Sequence, residues 1–507
     1  MSSIFSRGIK AWALGLANSL LEKGLGPLII RRFAKSIIRG EDRADQRSEE
    51  LFKFFPHGDS GNRLLHRLFA EVLTMRGVTA EVVAGKPRWP EEWRNWRGDS
   101  DLLEEEKWFS SVEETIDFLE SLAAGDGTLA RGIIDEFVRW CPTDFFEGNY
   151  RVDANFLRKI DLDIFSAGRA VSSTSGAAIG ESAYVYNKAL VSATEQRDAP
   201  LWVFNTGGHW ARADSKRDEN FSDINFSDIS KRLRLDPRLL ATAQNYLEER
   251  FAGVSRLDFD SPNAFRGEPL PEHFRFKKVL ALHAFRDANQ LPIGGSGRGR
   301  ESLFRTFYEW VDFVFAHISV SKDEWAIRPH PSSSMYRGDG RILESLLKKH
   351  DLQDIDRLEG FSTSAILENR LPVYTHNGTI SAETAIFGYR SFVCANLYPE
   401  EITVFTRTKE ELSAALALPF DDARPPIDPQ ITVDQMTVLL YDRFHLPLQQ
   451  LRPPSPDNRS TPWRREKSSF FRITFYLSRF LMEKDKELIR SATDEIVEAV
   501  LGQQIND

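Results

Sequence analysis

The segment Trp325-Ala326-Ile327-Arg328-Pro329-His330-Pro331-Ser332-Ser333 runs from an apolar stretch into a loop with a guanidinium, an imidazole and small hydroxyls. Arg328 and His330 together can hold a phosphate or diphosphate by charge-assisted hydrogen bonds, with Ser332 and Ser333 beside them. The competing reading is a proline-stiffened loop with a solvent-facing histidine. A second segment, Tyr374 to Glu383, passes from strand to glycine turn to helix start and carries Asn377, Gly378 and Thr379. Backbone N–H groups at such a start attract phosphate. Glu383 could accept from ribose hydroxyls, or it could simply favour the helix dipole. A third segment, Leu282-His283-Ala284-Phe285-Arg286-Asp287, offers His283 and Asp287 to a sugar or an acceptor. The alternative there is an Asp–Arg staple within the loop. Earlier in the chain, His57 and Asp59 stand in a glycine-containing loop. A base that reaches an acceptor hydroxyl could come from either, although such residues also form plain turns. Asn205 to His209 is a similar loop.

These loops need a scaffold that delivers strand ends to one place. Leu51 to Phe55 reads as a strand, Leu64 to Leu73 as a helix and Ala80 to Ala84 as a strand, which makes one βαβ unit. Residues 86–160 are rich in Trp, Glu and Asp and read as an insertion or elaboration, with a helix near Val112 to Leu122. A helix near Ser182 to Thr194 and a strand at Leu201 to Asn205 follow. Asp236-Pro237 opens a helix to about Phe251, with an N-cap and a proline at the first helical position. The second half alternates more clearly. Strands are expected at 278–283, 324–328, 372–375 and 391–395, and helices at 302–318, 341–350, 381–387 and 408–418. Such alternation implies a parallel, doubly wound sheet, whose ligands sit beyond the carboxyl ends of the strands. Helical pieces near 433–441, 470 and 492–501 complete the chain.

The 507 residues suit two large α/β units rather than one core. A net charge of −9 argues against a general nucleic-acid binder, which needs cations to displace phosphate counterions. Cys141 and Cys394 form no metal-binding cluster and fit a reducing compartment, hence the cytoplasm. Asp161-Leu162-Asp163 and Asp258-Phe259-Asp260 are Asp-x-Asp triplets of a kind that chance supplies in an acidic chain, so no metal is assigned. Gly294 to Gly297, with Arg298 and Arg300, reads as a flexible loop or a phosphate loop. Residues 1–40 carry an excess of six positive charges among apolar residues. No uninterrupted apolar window there spans a bilayer. The stretch is expected either to lie on an anionic membrane face as a basic amphipathic arm or to pack on the domain as an ordinary helix.

The His-Pro pair at His330-Pro331 and the Gly-Thr…Glu…Gly spacing from Gly378 to Gly388 resemble the donor domain of capsule-polysaccharide biosynthesis glycosyltransferases. Val279 to Ala288 and Trp310 add to that resemblance, which is strongest over 275–420. It implies a GT-B-like α/β fold: two Rossmann-like doubly wound domains facing a cleft, with an N-terminal basic amphipathic arm and a C-terminal helical tail that crosses back. The implied division is an arm over 1–45, an acceptor domain over 46–265, a donor domain over 275–425 and a tail over 426–507. It implies a cytoplasmic enzyme, with a peripheral place on the inner membrane face open to it. The partners would be a nucleotide-sugar donor and a polysaccharide or lipid-linked acceptor, with no obligatory cofactor. His330 would contact the nucleotide phosphate, and CMP stands slightly ahead of UDP and GDP. The alternatives are a CDP-polyol phosphotransferase and a non-catalytic, membrane-associated scaffold of a polysaccharide assembly complex.

Overall fold

The computed structural model describes residues 26–37, 51–55, 60–83, 106–141, 145, 148–180, 185–197, 199–204, 210–212, 225–253, 262–265, 267–286, 303–304, 306–331, 333, 338–395, 398–444 and 483–501. The first part comprises α1 (Gly26–Ile37), β1 (Leu51–Phe55), α2 (Ser60–Met75), β2 (Thr79–Val82), β3 (Lys107–Trp108), α3 (Val112–Ser121), α4 (Gly127–Trp140), β4 (Arg151–Val152), α5 (Ala154–Val171), β5 (Gly176–Gly180), α6 (Val185–Glu195), β6 (Leu201–Phe204) and β7 (Trp210–Arg212). After it come α7 (Phe226–Leu235), α8 (Pro237–Phe251), β8 (Lys278–Ala281), α9 (Phe307–Ile318), β9 (Trp325–Arg328), α10 (Asp339–Lys349), β10 (Asp356–Arg357), α11 (Thr363–Glu368) and β11 (Val373–Thr375). The chain then continues through α12 (Ile380–Ile386), β12 (Ser391–Val393), β13 (Thr403–Phe405), α13 (Lys409–Leu416), α14 (Val433–Phe444) and α15 (Glu483–Leu501).

The first sheet has the order β2-β1-β5-β6-β7. Its first four strands are parallel, and β7 returns antiparallel on β6. The expected βαβ unit is β1-α2-β2, with Leu51 paired to Thr79. Alternate side chains of β1 go to opposite faces, as a pleated strand requires. Phe52 and Phe54 join a cluster with α1, α2 and α15, whereas Phe55 joins the larger core that contains α3 to α6. Residues 112–171, which overlap the 86–160 stretch expected as an insertion or elaboration, supply three helices to that larger core beside Ala177 and Ile179 of β5.

The second sheet has the order β10-β9-β8-β11-β12-β13, parallel throughout. Numbered within the sheet, this is 3-2-1-4-5-6, the order of dinucleotide-binding doubly wound sheets, with its topological switch between β8 and β11. Its inner strands β9, β8, β11 and β12 are buried on both faces. Leu280, Ile327 and Tyr374 point into the larger core, and Val279, Ala326 and Val373 into a separate cluster with Leu358 and Ile366. The fold class is therefore the α/β architecture expected, with two parallel sheets.

Both ends of the chain depart from simple succession. α15 packs on α1 and α2 through Ile489, Ala492, Ile496 and Val500. Arg76 pairs with Asp494 at 2.5 Å, and Arg490 donates to the Ile37 carbonyl at 2.7 Å. The tail thus crosses back as expected. Within 26–37, the packed-helix reading describes the arm. Ile30, Ala34 and Ile37 are buried, and Arg31, Arg32 and Lys35 face solvent. Residues 1–25 lie outside the described residues. Helices α7 and α8, expected to finish the first domain, share a cluster with α12 and α14 beside the second sheet.

The strand-like bridge between Glu268 and Phe361 fastens the following segment to the second sheet. Gly267 fits there because it lacks a Cβ. One built at that position would lie 2.4 Å from the Phe361 carbonyl carbon and 2.4 Å from the Ser362 nitrogen. Both are backbone atoms, so a side chain cannot be accommodated by a rotamer change. Gly267→Ala is expected to destabilise by about 1–3 kcal/mol, the usual cost of overpacking. Chemical denaturation with an unchanged midpoint would show that this backbone gives way.

Candidate functional site

Strand register brings two expected residues together. Ala281 of β8 pairs with Arg328 of β9, and Leu282 N–H donates to the Arg328 carbonyl at 2.9 Å. Two residues further along each chain stand His283 and His330. Their rings are stacked, 4.6 Å between centroids and 19° between planes. That separation is close to the spacing of neighbouring strands, so the stack continues the ladder beyond the sheet.

A third imidazole joins them from β11, on the other side of β8. His376 follows Thr375 directly and is buried, edge-on to Phe307 at 5.9 Å and to Trp310 at 5.7 Å. Its carbonyl accepts from the Cys394 and Ala395 amides at 3.0 and 2.9 Å, which locks the strand end to β12. Its Nδ1 is buried without a hydrogen-bond partner among the described residues. The Oδ1 of Asn377 is in the same condition. Gly378 then takes φ +138°, a conformation that favours glycine, although a Cβ there would meet nothing closer than 4.0 Å. Backbone conformation, not crowding, calls for glycine at this turn.

Burial dominates the electrostatics. It pushes the His376 imidazole down to about 4. His283 lies well below the ordinary histidine value, first by desolvation and then by the neighbouring His330 and His376. Both are neutral at pH 7 and offer hydrogen bonds rather than fixed charge.

Two residues expected at the ligand have partners within the chain. Arg328 is buried and faces away into a cage of backbone. Its Nη1 donates to the Leu358 carbonyl at 2.6 Å and to the Phe361 carbonyl. Its Nη2 donates to the Ala264 carbonyl at 2.9 Å and to Thr363 Oγ1 at 3.1 Å. Burial lowers its pKa to about 10, so it stays charged at neutral pH. In this arrangement it holds the 264 and 358–363 segments to β9. Glu383, expected at a ribose, forms a buried ion pair with Arg250 Nη2 at 2.8 Å. The helix start is also more modest than expected. α12 has seven residues, and the Ser381, Ala382 and Glu383 amides bond within the turn to the Gly378 and Thr379 carbonyls.

Of the other expected residues, Thr379 is partly exposed at the α12 start, and Ser333 N–H closes a turn on the His330 carbonyl at 2.9 Å. His57, Asp59, Asp287 and Ser332 lie outside the described residues, as do the loops at 205–209 and 294–300. Among the described residues, no group of three His, Cys, Asp or Glu side chains converges to hold a metal.

Three residues of consequence were not singled out from sequence. His376 stood inside a chosen motif, and its place directly after an apolar strand was the available signal. Asp339, in the first turn of α10, accepts from the Phe285 amide at 2.9 Å and the Arg286 amide at 3.2 Å. It holds the loop that presents His283. Arg250 is the partner of Glu383. From the loop at 282–286, Arg286 Nη1 donates to the Cys141 carbonyl at 2.7 Å, at the end of α4. Gly132, on the same helix, packs against Val185 at the start of α6. The first unit thereby meets the second beside the carboxyl end of β8.

No protein-family model matches the chain, and no curated protein is similar to it. Among solved structures, it is similar to the UDP-GlcNAc 2-epimerase of Methanocaldococcus jannaschii in complex with UDP-GlcNAc and UDP. The two share 11% identity over 56% of this chain and 80% of that chain, with a TM-score of 0.26. At that level, the likeness does not extend to ligand or chemistry.

Proposed function

We propose that the chain is a GT-B-type glycosyltransferase that binds a nucleotide-sugar at the carboxyl ends of β8, β9 and β11. It would pass the sugar to a bacterial capsular or other surface polysaccharide, or to a lipid-linked acceptor. The observation that carries this reading is the gathering of His283, His330 and His376 with the Gly378 turn at the switch point of a 3-2-1-4-5-6 sheet. A doubly wound sheet takes its ligand there.

In this reading His330 and His283 donate hydrogen bonds to the phosphate that leaves with the nucleotide. Asn377 and Thr379 line the same turn. The aromatic rings of Phe307 and Trp310 keep water from that side, which strengthens each polar contact. Donors fixed before the reaction stabilise the departing charge without reorganisation, and no obligatory metal is required for that role. His57 and Asp59 remain the proposed acceptor-side bases, and Asp287 a proposed contact to the sugar or the acceptor.

The commitment of Arg328 to backbone favours a donor with one phosphate. Fewer cations are then needed, so CMP stays slightly ahead of UDP and GDP. Thermal denaturation with CMP, UDP, GDP and CDP at equal concentration tests this. A ligand at a hundred times its Kd stabilises by about 2.7 kcal/mol, and CMP is expected to raise Tm most. A response to UDP or GDP alone would reverse the order of donors. Silence from all four would remove the donor site and leave the scaffold reading. Acceptor-dependent nucleotide release with phosphorus in the product would instead identify a phosphotransferase.

A further inference from the structure

We propose that His283, His330 and His376 act as one subsite that takes up a phosphate together with a proton, one imidazole becoming charged only in the complex. This rests on the reading that the ligand's phosphate sits at this end of the sheet. The geometry carries it. Two imidazoles stacked at 4.6 Å cannot both be cationic without an anion between or beside them. A proton on the third, His376, would oppose one on His283, and its ring is shut in by Phe307 and Trp310. Its unpartnered Nδ1 can gain a proton without breaking an internal hydrogen bond.

Among the described residues, the arginines on these elements are engaged elsewhere. From the β8 loop, Arg286 reaches the Cys141 carbonyl. From α10, Asp339 takes two backbone amides. From β9, Arg328 is caged by carbonyls, and from α12, Glu383 is paired with Arg250. From α9, Glu309 lies in the first turn, next to the Trp310 that walls His376. From β12, the buried Cys394 thiol is raised to about 11 and stays neutral. A charge on His330 or His376 disfavours one on His283. An arriving phosphate dianion therefore finds its counter-charge most readily by protonating an imidazole.

The sign follows from linkage. In the free protein His283 holds its proton weakly and His376 only below about 4, and the bound phosphate raises the affinity for a proton. The complex then carries more protons than the free protein. Affinity rises as pH falls from above the bound-state value, by at most about tenfold per pH unit for one proton, and levels off below the free-state value.

The test is calorimetric titration of the full chain with CMP, UDP, GDP and CDP in buffers of different ionisation enthalpy. At about pH 8, well above the second phosphate ionisation near 6, the nucleotide supplies almost no proton of its own. Roughly one proton taken up per bound nucleotide is expected. In the same complex, nitrogen NMR should show one histidine ring moving from the neutral to the imidazolium pattern. The single variants His283→Gln, His330→Gln and His376→Gln assign that signal by its loss. Binding without proton uptake would overturn the proposal and leave the donor site standing. Uptake with all three rings still neutral in the complex would also overturn it. Failure of every nucleotide to bind would overturn both.

Discussion

Glu383→Ala is expected to cost the protein about 3–5 kcal/mol of stability, because it leaves a buried guanidinium without its carboxylate. Arg250 and Glu383 are both almost fully buried and meet at 2.8 Å, and Arg250 also lies over the Phe265 ring at 5.1 Å. The pair joins α8 to α12, so its loss should loosen the packing of α7 and α8 on the second sheet. Urea denaturation of the folded variant measures the change. Replacing the pair together, Arg250→Met with Glu383→Leu, should recover most of it, since two apolar groups remove both desolvation penalties at once. A loss below about 1 kcal/mol in the single variant would mean that the ion pair contributes nothing. The experiment also separates this role from ligand binding: the double variant should keep nucleotide affinity if Glu383 touches no ribose.

His330→Ala is expected to act oppositely, on turnover rather than on folding. The ring is only partly buried and its neighbour is another imidazole, so thermal stability should change little. Removing a donor aimed at a developing charge costs about 2–4 kcal/mol of transition-state stabilisation, or roughly 30- to 1,000-fold in kcat/KM. Nucleotide release in the presence of acceptor is the measurement. A folded variant within about threefold of the parent would take His330 out of the reacting centre. Loss confined to KM would assign it to ground-state binding alone.

The strands that position these residues were readable because short apolar runs with clear punctuation mark them. Leu51–Phe55 and Trp325–Arg328 lie where such runs stand. β5 was not readable. Its residues Gly176, Ala177 and Ala178 have little β-propensity, and they are small for a reason outside the segment. A Cβ on Gly176 would come within 2.8 Å of the Phe52 ring on the neighbouring strand. Helices α4 and α5 were hidden by the Trp- and acid-rich composition of 86–160, although Asp126 and Asp153 cap them in the ordinary way. At the site, residue type identified loops at strand ends, but type does not say which partner answers each group. The carbonyls that hold Arg328 and the guanidinium that holds Glu383 are supplied from 30 to 133 residues away. The stacking of His283 on His330 depends on register between β8 and β9, which no local pattern encodes.

The return of α15 to α1 and α2 bears on how the protein is made. As the chain leaves the ribosome, β1, α2 and β2 emerge early, yet the apolar face they share with Ile489, Ala492, Ile496 and Val500 stays uncovered until residue 501 has been added. The elements from Phe226 to Phe444 are contiguous, and they can close around the second sheet before that. Domains usually mature in the order of synthesis. Here the packing implies another order: the cluster around β1 and α2 cannot close before α15 has been made.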